Sequence, residues 1–415
     1  MKTISFLGNG SYSNRGCEAI VRGTTNLFYE ELGDCRFISS YFQVDGCNDQ
    51  KLEIDHSIIH QPFPIQKRFS PRWIEGKIKE KFFSEPAALS GVKTTLAKSL
   101  LNADLALMLG GDNYTLDYHR PDVYFRINQE VIKRGIPCVL WGASIGPFSA
   151  LPEYEAWAVK ELKKVNLICV RETISQGYLD NLGIQKNVLL MVDPSFYMST
   201  EEIPLSDDVE KFLCQDCIGI NLSPLIATTS RTTGNWQEDY EKWLIVATEW
   251  IERISGQCQL PILLIPHVTS ETSDMKRDDR IFLSKIEQKL GRKDQILLLK
   301  EDLNAAQLKY VISRTKIFLG ARAHSTFAAI STCVPTICIG YSQKAQGVSQ
   351  DVYGNNDWLI DTKSTVDPSE VASKVTALYQ SRKEIKQMLS SKLPHFKALA
   401  RNAVQKIDET FLKND

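Results

Sequence analysis

Short apolar runs, each closed by glycine, proline or a polar turn, alternate with segments of helical period from one end of the chain to the other. That alternation excludes helical bundles and all-β sandwiches. It predicts a parallel α/β architecture, whose strands are buried on both faces and therefore read as continuously apolar. In the first half the predicted strands are Thr3–Leu7, Cys35–Ser39, Asp104–Gly110, Pro137–Ser144, Leu167–Arg171 and Val188–Asp193. In the second they are Cys217–Ser223, Pro261–His267, Gln295–Glu301, Lys316–Arg322, Pro335–Tyr341 and Asp357–Asp361. At 415 residues the chain exceeds the roughly 250–300 that one core supports, so two doubly wound, Rossmann-like domains are expected, facing each other across a cleft. The polar stretch Met198–Asp208 places the boundary, giving domains 1–200 and 201–380 followed by C-terminal helices 381–415. Pro394 is expected to split the charged helical tail in two, the last helix being free to cross back to the first domain.

Charge narrows the function. Lys plus Arg number 49 against 50 Asp plus Glu, a formal charge of -1, so no global field favours nucleic acid and any anion site must be local. The first residues lack a secretory apolar run, and no run approaches the ~18 apolar residues of a spanning helix, so a cytoplasmic protein is expected. The ten cysteines then read as reduced packing residues. Only Cys214 and Cys217 have metal or redox spacing, and without a second pair they are read as the edge of a strand; no metal site is expected.

The chemistry-bearing residues cluster at strand exits, where ligands bind in open parallel sheets. "GNGSYSNRG" after the first strand offers Asn14 and Arg15 on a glycine-rich turn that reads equally as a ligand loop or a tight connection. "LMLGGDNY" exposes Asp112 and Asn113, either a proton acceptor for a sugar hydroxyl or a turn cap. Arg171 in "LICVRETIS" clamps an anion or pairs with Glu172 or another acid, and His267 in "IPHV" reads as catalytic or structural. "KIFLGARAHSTFAAIS" is the strongest: Arg322 and His324 leave a buried strand at a helix start, and Lys344 leaves the next strand. Guanidinium fork, imidazole and ammonium can then converge on one small anion; a structural ion-pair network is the competing reading.

"GNGSYSNRGCEAI", "LGGDN", "GASIGP", "VRETIS", "VDPSF", "GINLSP" and above all "GARAHSTFAAISTCVPTICIGYSQKAQG" resemble the polysaccharide pyruvyltransferase family, from Gly8 to Gly347. The resemblance implies a GT-B-like fold. It also implies transfer of the pyruvyl unit of phosphoenolpyruvate onto a sugar of a polysaccharide or its precursor, forming a cyclic ketal and releasing phosphate. His324 would be the general acid and Asp112 the base. Substrate binding would fall to Arg322, Arg171, Lys344, Asn14, Arg15, Asn113, Ser325 and His267, with no cofactor beyond the donor itself. The chain departs at Cys17, which follows Gly16 where many members read Asn-x-Gly-Asp.

Two other classes fit the same architecture: a GT-B glycosyltransferase using a nucleotide sugar, and a noncatalytic relative. The first would want an acid near the Arg/Lys pair for the ribose, and only Asp351 is offered, late. The second is opposed by Arg322, His324 and Asp112 occurring together. The basic, aromatic segment Gln66–Phe83 reads as a solvated loop-helix or as a peripheral contact with an anionic membrane carrying a lipid-linked acceptor. Polar Leu225–Gln237, beyond a strand end, is a further candidate for shaping acceptor choice.

Overall fold

The computed structural model describes residues 1–42, 49–64, 71, 89–117, 119–229, 233–270, 274–291, 294–340, 343–362 and 366–413. The basic segment 66–83, apart from residue 71, lies outside these. The chain forms two compact units. The first comprises Met1–Tyr12, Ile20–Tyr197 and Phe396–Asp415, and the second Ser13–Ala19 and Met198–His395.

The first unit is built on a wholly parallel seven-stranded sheet in the order β3-β2-β1-β4-β5-β6-β7. Its strands are β1 (Lys2–Asn9), β2 (Cys35–Tyr41), β3 (Ile58–His60), β4 (Leu105–Met108), β5 (Cys138–Ala143), β6 (Leu167–Val170) and β7 (Val188–Leu190). Every residue of β4 and β5 is buried, which is why these segments read as uninterrupted apolar runs. The edge strand β3 escapes the sequence pattern because its apolar run is only Ile58 and Ile59, set between Ser57 and His60. Strand order reverses between β1 and β4, the position where doubly wound sheets bind ligands.

The second unit repeats the plan with six parallel strands in the order β10-β9-β8-β11-β12-β13. These are β8 (Ile218–Asn221), β9 (Ile262–Leu264), β10 (Ile296–Leu298), β11 (Ile317–Gly320), β12 (Thr336–Gly340) and β13 (Leu359–Asp361). Here the order reverses between β8 and β11. The first five residues of the helix α1 (Arg15–Leu32) belong to the second unit and the remainder to the first.

The tail corrects one expectation. Arg382–Ile407 is a single helix with Pro394 inside it, rather than two. Proline removes one intrahelical hydrogen bond, and burial of Leu389 on one side and of Ala400, Ala403, Val404 and Ile407 on the other outweighs that loss. Residues up to His395 belong to the second unit and those from Phe396 to the first. In the polar stretch Leu225–Gln237, Leu225–Thr229 forms a short helix and residues 230–232 lie outside the described set. No helix among the described residues is long and apolar enough to cross a membrane.

A buried carboxylate stabilises the first unit. Glu53 accepts from the Tyr12 hydroxyl (2.6 Å), His60 Nε2 (3.0 Å) and Arg22 Nη1 (3.3 Å). Burial alone would raise its pKa, but His60, Tyr12, the Asp55 amide and the Arg22 charge together lower it from 4.5 to about 2. A folded value below the unfolded one contributes stability that is present above pH 4.5 and is lost as pH falls towards 2. The shift corresponds to about 3 kcal/mol. Acid titration of unfolding free energy should therefore show a slope in this window that Glu53→Gln flattens.

Candidate active site

The exit of β11 in the second unit carries the densest polar construction. Arg322 caps the helix Ala323–Ser331 with extended backbone, and its amide donates to Asn221 Oδ1 at 3.0 Å. Its guanidinium grips one carboxylate: Nε and Nη2 donate to Asp279 Oδ1 at 3.2 and 2.8 Å, and Nη2 also donates to the Arg277 carbonyl at 2.9 Å. Nη1 donates to none of the described residues.

Asp279 is the hub. Its side chain is 0% exposed, and Oδ2 accepts from the amides of His267 (3.1 Å) and Val268 (3.0 Å) and from Asn221 Nδ2 (3.3 Å). One carboxylate thus joins the end of β8, the segment after β9, the exit of β11 and the start of the helix Asp279–Leu290. It sits in the polar run "SDMKRDDR", which reads as a solvated loop. The available signal was an Asp pair ahead of the helical run "RIFLSKIEQKL", with Asp278 as the N-cap.

The segment Ser13–Gly16 pairs alongside. Asn14 bridges Val268 in antiparallel fashion, the Arg15 amide donates to the His267 carbonyl (3.2 Å), and the Thr269 amide donates to the Ser13 carbonyl (2.9 Å). Gly16 lies against His324: a Cβ there would come within 2.5 Å of imidazole Nδ1. Glycine is what lets the loop lie on the ring. His267 is buried; burial pushes its imidazole well below the ordinary value, and the charges of His324, Arg322 and Arg15 push it further. It stays neutral, and its Nδ1 has no hydrogen-bond partner among the described residues.

The second unit therefore assembles Arg15, His267, Arg322 and His324 around the β8/β11 switch point. Other candidates have scaffold duties. Asn14 Oδ1 caps the start of α1 through the Gly16 amide (3.0 Å), and the Ser325 hydroxyl donates to the Arg322 carbonyl (2.7 Å). Arg15 is tied to Glu18 and Asp302. Lys344 lies in the first turn of the helix Gln343–Tyr353, and its side chain is outside the described residues.

Asp112, Asn113 and Arg171 are in the first unit. Arg171 is the ion-paired alternative rather than an open anion clamp. Its side chain is 2% exposed, and it donates to Ser144 Oγ (3.0 Å), Asp193 Oδ2 (2.9 Å) and Asp112 Oδ1 (2.5 Å). Burial opposes its charge, and the two carboxylates outweigh burial, raising its pKa. Gly111 leaves room for the guanidinium, since a Cβ there would lie 2.0 Å from Nη1. Asp112 is 33% exposed on its side chain. Asn113 pins the turn, its amide donating to the carbonyls of Gly8 and Leu109 at 2.8 Å each. Cys217 is buried, its thiol pushed up to about 12 by burial, while Cys214 is exposed.

Removing one partner of a buried ion pair leaves the other uncompensated. Asp279→Asn should lower unfolding free energy by about 3–5 kcal/mol in denaturant titration. Asp302→Asn, at the 73% exposed end of the Arg15 pair, should cost under about 1 kcal/mol.

Comparison with known proteins places this arrangement. The amylovoran biosynthesis protein AmsJ of Erwinia amylovora is 23% identical over 406 residues, spanning 93% of this chain and 94% of that protein. Among solved structures, the chain is similar to UDP-GlcNAc 2-epimerase from Neisseria meningitidis bound to UDP-GlcNAc. The TM-score is 0.61 at 12% identity, covering 99% of this chain and 100% of the other. It is also similar to TcCGT1 in complex with UDP, with a TM-score of 0.63 at 10% identity and 100% of both chains covered. At such identities the likeness concerns the fold, which is GT-B-like. The model of polysaccharide pyruvyl transferases matches residues 14–343, from the loop beneath His324 to the helix that follows β12, and the chain belongs to that family.

Proposed function

We propose that the protein transfers the pyruvyl unit of phosphoenolpyruvate onto two hydroxyls of a sugar in a polysaccharide or its precursor, forming a cyclic ketal and releasing phosphate. The observation that carries this reading is the gathering of Arg322 and His324, with Arg15 and His267, at the switch point of one parallel sheet. Such a site suits a small, multiply charged anion.

The chemistry follows from the donor. Its carboxylate and phosphate need fixed N–H donors, and Arg322 supplies them from Nη1 while Asp279 holds its other nitrogens. His267, kept neutral, offers a hydrogen bond without adding charge. The enol ether carbon must be protonated at its methylene end, a task for an acid held against it, and we assign that proton to His324. The resulting cationic carbon takes one sugar hydroxyl. Phosphate then leaves by carbon–oxygen cleavage, and the second hydroxyl closes the ring. Of the two hydroxyl protons, one is balanced by the proton gained at the methyl carbon, and the other leaves with phosphate. For the base we propose Asp112, with Arg171 as its positioning residue.

Purified protein given phosphoenolpyruvate and a panel of lipid-linked and nucleotide-linked sugars should release phosphate only with a suitable acceptor. His324→Ala should slow that release by about 10²–10⁴-fold, the usual worth of a general acid. Turnover of a nucleotide sugar, with no release from phosphoenolpyruvate across the panel, would move the assignment to a glycosyltransferase.

A further inference from the structure

The first unit holds a cavity at the first turns of the helices Asp122–Lys133 and Pro152–Leu162. These helices follow β4 and β5, so the cavity opens on the carboxyl-end side of the sheet, where ligands bind. Its volume is about 780 Å³, within the roughly 300–1,000 Å³ range of small-molecule sites.

The lining is aromatic, with charged edges. Trp157 and Tyr154 form the wall, their rings 5.2 Å apart. Arg120 lies over Tyr154 at 4.5 Å and Arg126 over Trp157 at 6.0 Å. Asp122 and Glu153 balance the two arginines, and exposed Leu151 completes the rim. The Tyr154 hydroxyl, in a residue that is 7% exposed, faces the Asp122 carboxylate and the Arg120 guanidinium. A hydroxyl, a carboxylate and a guanidinium lining one cavity offer a ligand hydroxyl both donors and acceptors.

Charge balance argues against a phosphate or a nucleic acid as occupant, and the aromatic wall argues against a metal. Flat apolar ring faces flanked by guanidinium and carboxylate edges match a sugar, whose C–H face is apolar and whose rim is a ring of hydroxyls that both donate and accept. We propose that this cavity is a subsite for an uncharged oligosaccharide stretch of the acceptor, engaging sugar rings beyond the one that receives the pyruvyl group. This rests on the pyruvyl-transfer reading for the acceptor's identity, and on the cavity alone for its ligand class.

The test is a glycan array of bacterial repeat-unit oligosaccharides probed with full-length protein, followed by calorimetric titration of the strongest binder. Trp157→Ala should weaken binding by about tenfold or more, as loss of a stacking ring does. Trp157→Phe should retain most of it. Arg120→Ala, removing a side chain 57% exposed and outside the core, should also weaken binding, with thermal midpoints confirming that it folds. Failure of wild type to bind any oligosaccharide, or equal affinity in wild type, Trp157→Ala and Arg120→Ala, overturns the subsite. Binding that needs Trp157, in a protein that releases no phosphate from phosphoenolpyruvate, supports the subsite and overturns the transfer reading instead.

Discussion

The second unit depends on one buried carboxylate. Asp279 is fully enclosed, and it accepts from the amides that follow β9, from Asn221 at the end of β8 and from the Arg322 guanidinium at the exit of β11. A carboxylate taken out of water is tolerable only when its lone pairs are filled by well-aligned donors, and here they are. The consequence is geometric. Three strand ends are locked to one point, and the Arg322 side chain is left with one nitrogen facing away from its partner. Binding groups held this way need little reordering when a ligand arrives.

The first unit uses the same device at β6. Arg171 leaves its strand as Arg322 leaves β11, and it too is fixed by carboxylates, Asp193 on one nitrogen and Asp112 on another. The difference lies in what remains open. Arg171 is filled on three sides, so the reachable group is Asp112, whereas in the second unit the acid is sealed and the cation keeps a donor. Two similar strand-to-helix turns thus present opposite charges from the same pairing rule.

Much of this was legible in the residues. Strands of a parallel sheet are buried on both faces, so β4, β5 and β11 announce themselves as apolar runs. Their predicted ends run long: Asp104–Gly110 contains β4 at Leu105–Met108, because buried Leu109, whose amide still donates to the Leu7 carbonyl, extends the apolar signal past the last strand residue. The strand exit carrying Arg322 and His324 was visible for the same reason. What the chain could not show is pairing at a distance. Nothing in "MKRDDR" distinguishes a sealed Asp279 from a solvated one, and nothing in "VDPSF" marks Asp193 as the partner of Arg171. The assignment of Ser13–Ala19 to the second unit is likewise a long-range pairing, made through backbone bonds to His267 and Thr269 that leave no trace in composition. Pro394 misled because a local helix-breaking rule competes with burial on both sides of it, and burial prevails.

In the proposed transfer, the enol carbon of the donor gains a proton from an acid on the protein before the sugar attacks. Running the reaction in deuterium oxide and reading the ketal methyl by mass and NMR tests this most directly. Protonation by His324 should leave one deuterium in that methyl group, with the ketal yield lost in His324→Ala. A ketal methyl free of deuterium, or phosphate release with the carbon skeleton unchanged, would contradict it.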